Sequence, residues 1–331
     1  MALPRVIVLS RAGQQGVSDD LRRQLDEAAE VRFVVCRHSP DPNAAAALLE
    51  GAQVLAATNI SLPVLTDALL DRCPGLRHVV VYATGHEHVD AELLARRGVT
   101  LSVLPHYATN AVAEHALAML LALTCRVHLA NDRSRGLTST DVSLRGVELT
   151  QRVAGVIGVG RIGSRLVELL RGLGVAVVGH DTDPAAVATA VEVGVEMVPL
   201  ATLLRVSDLV AVTASTFAGQ PAILGRREIG QLPRGAFVVN VGRALLVDTD
   251  AMVTAVRLGL IRGYGVDDIV LDAAEHADLL SQGRILQTAH SAWWKDEALA
   301  RGSMMFGEAI LAAVQGRPVD VVPPRSVVLP R

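Results

Sequence analysis

Residues 153–181 read VAGVIGVGRIGSRLVELLRGLGVAVVGHD, and their order of residue types decides the fold. An apolar run at 153–157 has the length of a strand buried on both faces. The turn Gly158-Val159-Gly160-Arg161-Ile162-Gly163 follows, and Leu166, Leu169, Leu170 and Leu173 then recur at helical spacing. A second apolar run, 175–179, ends at Asp181. This is a strand, glycine turn, helix, strand and acid in the order of a dinucleotide-binding βαβ unit. Gly158 permits the tight turn, Gly160 lets backbone approach a pyrophosphate, and Gly163 lets the helix lie close to the strand. The N–H groups of Arg161, Ile162 and Gly163 open the helix, where its dipole favours anions. Asp181 lies 23 residues after Gly158, close to the usual spacing of about 20, where a carboxylate accepts a ribose 2′-OH and repels a 2′-phosphate. Thr182 and Asp183 follow with no arginine nearby, so the cofactor expected is NAD rather than NADP.

Working outward, the length of 331 residues predicts two domains, each able to bury a core. Half of the residues are apolar and the net charge is −3, which gives no reason to expect nucleic acid or an anionic membrane as partner. No apolar run approaches the roughly 18 residues of a membrane span, and the opening MALPRVIVLSRAG reads as a first strand rather than a signal peptide. Cys36, Cys73 and Cys125 lack metal-ligand spacing and read as reduced, mostly buried thiols of a cytoplasmic protein. No metal site is expected. The single lysine, Lys295, against thirty arginines reads as genomic base composition.

Strand patterns recur at 5–9, 31–35, 53–57, 77–81 and 99–103, with helical stretches at 18–29, 42–50, 62–72 and 90–97 between them. Such alternation predicts a parallel sheet covered on both faces. This first unit has no glycine fingerprint after its first strand, so it is not the nucleotide-binding half. Residues 111–130 form the longest helical pattern and carry little polar surface, as a buried helix would. After Asp181 strands are expected at 195–198, 208–213, 236–240, 263–267 and 284–288, with helices near 199–206, 225–232 and 248–259. Together these make a complete doubly wound sheet. The helical stretch 296–315 comes after that sheet is complete and is free to return to the first domain.

Ligands of an open α/β sheet sit beyond the carboxyl ends of its strands. Those ends carry Thr213 and Ala214, then Val241, Gly242 and Arg243, then Asp267, then His290. An arginine just past a strand end can clamp a carboxylate with two parallel hydrogen bonds. A histidine at the last strand end can exchange a proton near neutral pH. Hydride transfer to NAD needs both an anchor and a base. Taken singly, Arg243 also reads as a surface arginine, His290 as a structural histidine and Asp267 as a helix cap.

The segments TGHEHVD (84–90), YATNAVAEHAL (107–117), VAGVIGVGRIGSRL (153–166), VVNVGRALLVDTDAM (238–252), GYGVDD (263–268) and TAHSAW (288–293) resemble the D-isomer-specific 2-hydroxyacid dehydrogenase family. That family includes phosphoglycerate, glycerate and formate dehydrogenases, and HSAWW with its tail is most similar to the C-terminal-binding-protein branch of NAD-sensing corepressors. The resemblance implies an α/β chain of two doubly wound parallel-sheet domains. A Rossmann NAD domain (105–291) would be inserted in a discontinuous flavodoxin-like substrate domain (1–104 and 292–331), with helix 111–130 near the two-fold axis of a homodimer. It also implies roles. Thr84 and Gly85 would offer backbone N–H groups to the substrate's acid group, Arg243 would bind that group, Asp267 would hold the nicotinamide carboxamide and His290 would be the acid/base.

Departures from the family pattern are informative. The family places a glutamate five residues after the Asp267 position, where it hydrogen-bonds the catalytic histidine and raises its pKa. Here that position is Asp272, one methylene shorter, with Glu275 as a fallback and no carboxylate partner as the third possibility. The cofactor-lining loop has become Ala214-Ser215-Thr216-Phe217, the residue before Thr84 is Ala83, and His86 follows Gly85. His86, His106, Trp293, Trp294 and Lys295 are placed to approach the cleft mouth, with Trp293 and Trp294 reading equally as core or hinge residues. Three functions follow: an NAD-dependent dehydrogenase of a small D-2-hydroxy acid, one acting on a phosphonate, phosphite or other dianionic acid, or a non-catalytic NAD sensor.

Overall fold

The computed structural model describes residues 2–139, 141–216 and 219–323, and its strands sort into two sheets. The first contains β1 (Arg5–Ser10), β2 (Glu30–Val35), β3 (Val54–Thr58), β4 (His78–Tyr82) and β5 (Thr100–Ser102). They pair in parallel in the order β2-β1-β3-β4-β5, the flavodoxin-like arrangement. Continuous apolar runs suit strands covered on both faces. Accordingly Ile7, Leu9, Leu55, Val79 and Val81 are fully buried. Short polar side chains start the covering helices, as when Asp41 accepts from the N–H groups of Asn43 and Ala44, and Asp90 from that of Leu93.

The helix Asp296–Val314 returns to this sheet. Tyr82, at the end of β4, meets Tyr107 and Phe306 edge-on with centroids 5.2 and 5.3 Å away, and its hydroxyl donates to the Leu299 carbonyl. These contacts tie the helix Asp296–Val314 to the first sheet, and of the described residues 2–108 and 296–323 form one compact unit.

Residues Thr109–Lys295 form the other unit. Its strands are β6 (Val153–Ile157), β7 (Ala176–His180), β8 (Glu196–Met197), β9 (Leu209–Val212), β10 (Ala236–Asn240), β11 (Ile261–Val266) and β12 (Ile285–Gln287). All pair in parallel, in the order β12-β11-β10-β9-β6-β7-β8. The order reverses between β6 and β9, which is the crevice where doubly wound sheets bind ligands.

Several elements differ from the sequence reading. The stretch 111–130 is two helices, Thr109–Cys125 and Val127–Ser134, bent by 63°. The break is at Arg126, a non-glycine residue with φ of 57°, whose guanidinium donates to the carbonyls of Ser143 and Gln282. The longest helix is instead Asp296–Val314. The stretch 62–72 is helical only over Asp67–Arg72, where Thr66 caps the start by accepting from the Leu69 N–H, and Pro63 keeps Leu62 out of helix. The stretch 225–232 shortens to Arg226–Ile229, followed by Gly230 and Pro233. Of the three thiols only Cys73 is buried; Cys36 is half-buried and Cys125 exposed. Among the described residues no single helix is long and apolar enough to cross a membrane.

Candidate active site

The glycine turn sits at the carboxyl end of β6, beside that of β9. Gly158 has φ of +92°, and a Cβ there would lie 2.4 Å from the Ala214 backbone. A Cβ on Gly163 would lie 1.9 Å from the Gly158 carbonyl oxygen. Only glycine fits at either position. Gly160 is different: a Cβ there would meet nothing within 4 Å, and no side chain caps the helix Arg161–Gly172 that it starts. Open space thus faces the first turn's N–H groups, the arrangement that receives a phosphate group. Thr213 supports the turn by donating to the Gly158 carbonyl at 2.6 Å. The Asp181 carboxylate accepts from the Val159 N–H at 2.8 Å and from the Asp183 N–H at 2.9 Å, so it is held against the same turn. These residues fit a dinucleotide.

The ends of β10, β11 and β12 build a second cluster. Asp267, just past β11, is 3% exposed. Its carboxylate accepts from the Thr288 hydroxyl at 2.6 Å, the Ser291 N–H at 2.9 Å and the Ala292 N–H at 3.3 Å. Its carbonyl accepts from the His290 N–H in a short bond. One residue therefore holds three consecutive N–H groups of the loop after β12. The loop needs that grip, because Ala289 and His290 both have left-handed backbone, φ of 52° and 57°, where a side chain costs roughly 1–3 kcal/mol each. Beneath it, His115 on the helix Thr109–Cys125 lies 3.0 Å from the Thr288 hydroxyl and 3.6 Å from Asp267. The hydroxyl's one proton goes to Asp267, so His115 Nε2–H is the donor. Burial pulls the His115 pKa down, with Lys295 adding to that and Asp267 opposing it.

The loop presents the His290 ring, 49% exposed, with Nδ1 2.9 Å from Asp268 Oδ1. The other Asp268 oxygen accepts from the Ala244 N–H at 2.9 Å, which joins this acid to the turn after β10. That turn is shaped by buried Asn240, which accepts from the Gly242 N–H and donates to the Arg243 carbonyl at 2.8 Å. Val241 is buried within it. The Asp268 hydrogen bond is the leading influence on His290 and raises its pKa, against burial and the Arg243 charge. Burial works against the Asp268 carboxylate, but the His290 bond, the Ala244 N–H and Arg243 outweigh it and hold its pKa low.

Two sequence expectations therefore change. Asp272 does not pair with His290. Its Oδ1 turns back to accept from the N–H groups of Ala274 at 2.8 Å and Glu275 at 3.0 Å, capping its own turn. Glu275 faces His276 instead, at 3.9 Å. Asp267 is engaged by the loop that carries His290, a use that the family resemblance did not imply. Asp268, His115 and Thr288 were missed, although the adjacent pair Asp267-Asp268 at a strand end was a visible signal.

Trp293 and Trp294 stack edge-on at 4.9 Å, the first half-buried and the second exposed. In the other unit, Thr84 follows β4 and donates to the Leu104 carbonyl at 3.1 Å, with Gly85 and His86 in the turn beyond it. Phe217, in the altered cofactor loop, lies outside the described residues.

Residues 117–292 match the family model described as D-isomer specific 2-hydroxyacid dehydrogenase, NAD binding domain. The chain belongs to that family. Its two parallel-sheet α/β units are the family's fold, and NAD is its cofactor. A relative of this kind is the D-lactate dehydrogenase of Escherichia coli, 31% identical over 193 residues, 58% of each chain. Another is the glyoxylate reductase of Aeropyrum pernix, 30% identical over 267 residues, 78% of each. Among solved structures, the TT0316 protein of Thermus thermophilus superposes with a TM-score of 0.82 at 27% identity, covering 96% of this chain and 100% of that one. The chain spans 58% of the length of the first curated relatives that it matches.

Proposed function

We propose that the chain is an NAD-dependent oxidoreductase that interconverts a small D-2-hydroxy acid and the corresponding 2-oxo acid. The observation that carries this reading is the His290–Asp268 pair beside Arg243, at the strand ends next to a dinucleotide-binding glycine turn. When bound, NAD supplies the hydride acceptor or donor. Arg243 binds the substrate's carboxylate through its guanidinium fork. Asp268 accepts from His290 Nδ1–H, which fixes the tautomer and leaves Nε2 to exchange a proton with the substrate oxygen. In oxidation Nε2 takes the hydroxyl proton; in reduction the imidazolium returns it to the carbonyl oxygen. Asp267 and Thr288 are positioning residues that hold the His290 loop. Thr84 and Gly85 are proposed to offer N–H groups to the acid group, and Trp293 to line the substrate site. The further partner we propose is a second copy of the chain.

The altered glutamate position, Asp272, and the altered cofactor loop at 214–217 are the sequence features that favour a non-catalytic sensor. Against the first of these, Asp268 supports the catalytic reading, since its carboxylate faces the histidine. The test is NADH consumption with a panel of 2-oxo acids, including glyoxylate, pyruvate and hydroxypyruvate. Turnover of at least one is expected. NADH binding without consumption in the presence of any of them would return the chain to the sensor reading.

A further inference from the structure

A recess of about 570 Å³ in the second unit lies away from the glycine turn and His290. Gly235 and Arg234 precede β10, Arg262 is the second residue of β11, and Arg284 precedes β12, so the recess sits at the amino ends of the strands whose carboxyl ends carry the candidate active site. Five arginines line it, Arg126, Arg145, Arg234, Arg262 and Arg284, against one carboxylate, Asp141. We propose that this recess is a binding site for a small polyanion bearing a di- or triphosphate group, separate from the dinucleotide site.

The argument rests on how the guanidiniums are held. Arg126 is 9% exposed and donates to the carbonyls of Ser143 at 2.8 Å and Gln282 at 2.7 Å. Arg262 donates to the Arg145 carbonyl at 2.7 Å and lies over the Phe237 ring at 5.7 Å. Arg284 donates to the carbonyls of Val256 and Ile261. Each is hydrogen-bonded by neutral acceptors, so its position is set without a paired carboxylate, and Arg284 feels a nearby acid, Asp278. Among the described residues none of the five forms an ion pair with a carboxylate. Nearby arginines do find one: Arg152 pairs with Asp208 at 3.1 Å and Arg257 with Asp278 at 3.2 Å. Arg262 and Arg284 in turn depress the Arg126 pKa, second only to its burial, the mark of like charges held together.

A buried cation without a counter-charge is costly, and an anion entering the recess relieves both desolvation and mutual repulsion. Planar forks with fixed N–H directions match phosphate oxygens two at a time. Five cations and one acid call for a ligand of several negative charges. The volume is that of a small-molecule site. Arg126 also has left-handed backbone at the break in the long helix, and strained backbone of this kind clusters at functional sites.

The test is calorimetric titration of sodium tripolyphosphate into the full chain saturated with NADH, at constant ionic strength, alongside citrate and sulfate. One tripolyphosphate site is expected, with citrate and sulfate much weaker. The double variant Arg145→Gln/Arg234→Gln, whose two side chains are on exposed residues, should keep the native melting temperature and weaken that site by about tenfold or more. Loss of tripolyphosphate binding on NADH saturation would mean that it occupies the dinucleotide site, and would overturn the proposal. So would unchanged affinity in the double variant, or binding of citrate alone. A dimer that the double variant dissociates, with no tripolyphosphate bound, would identify a second copy as the occupant instead.

Discussion

The strands β10, β11 and β12 present opposite charge arrangements at their two ends. At the carboxyl ends, acids and bases answer each other: Asp268 faces His290, accepts from the Ala244 N–H and feels the Arg243 charge, while Asp267 closes on Thr288 and two loop N–H groups. At the amino ends, roughly 15–20 Å away by strand rise, guanidiniums are anchored by carbonyls and, for Arg262, by the Phe237 ring. One end is a completed network whose remaining free valence is a histidine nitrogen. The other is an incomplete network whose free valence is positive charge. The comparison teaches that proton chemistry and anion capture demand different preparation of the same sheet. A general base needs a carboxylate behind it to set tautomer and pKa, whereas a cation intended for a ligand must be held without one.

The comparison breaks most visibly at His290. Replacing it by alanine should lower kcat by on the order of 10²- to 10⁴-fold with NADH affinity retained, measured by steady-state turnover and fluorescence titration. Equal kcat in the variant would remove the active end's free valence from the mechanism.

Asp268→Asn should have the next largest effect. It keeps the shape but removes the charge, so kcat should fall by about 10- to 100-fold, the worth of one charge-assisted hydrogen bond. Its sign in pH is specific. Asp268 raises the His290 pKa, so the variant's histidine loses its proton at lower pH. Reduction needs the imidazolium and falls as pH rises through that pKa; oxidation needs the neutral ring and rises there. Both limbs should therefore move to lower pH in Asp268→Asn. By linkage, the stability that the pair contributes is full below the ordinary histidine pKa of about 6.5 and is lost as pH rises through the raised value. Pairing of His290 with some other carboxylate would leave the profile where it was.

Much of this was legible before the structure. The glycine turn is readable because backbone geometry dictates residue type there: a Cβ at Gly158 or Gly163 meets backbone, so spacing alone carries the signal. The strand ends are readable because apolar runs stop where Thr213, Arg243, Asp267 and His290 begin. The partner of His290 was not, because it depends on how the loop after β11 turns. Consecutive residues leaving a strand point to opposite sides. Asp267 thus goes inward to Thr288, and Asp268 toward Arg243 and His290. Two residues later Val270 is 62% exposed, and Asp272 is carried outward with it. The arginine recess was illegible for a different reason. Its residues come from strand beginnings and a helix break far apart in sequence, and an arginine-rich composition hides them.

The smallest effect belongs to Asp272 and sharpens the contrast with Asp268. Both are acids in the same loop, and both have lowered pKa values. The causes differ: backbone N–H groups of Glu275 and Ala274 lead at Asp272, whereas at Asp268 the His290 bond leads the influences that overcome burial. Asparagine caps a turn about as well as aspartate, since the accepting Oδ1 is kept. Asp272→Asn should therefore leave kcat within about twofold and the pH profile unmoved, as expected of a surface position. A shift of the profile to lower pH, like that expected for Asp268→Asn, would mean that Asp272 does reach His290 during turnover. The spacing of family acids would then predict function better than the hydrogen bonds of the resting loop.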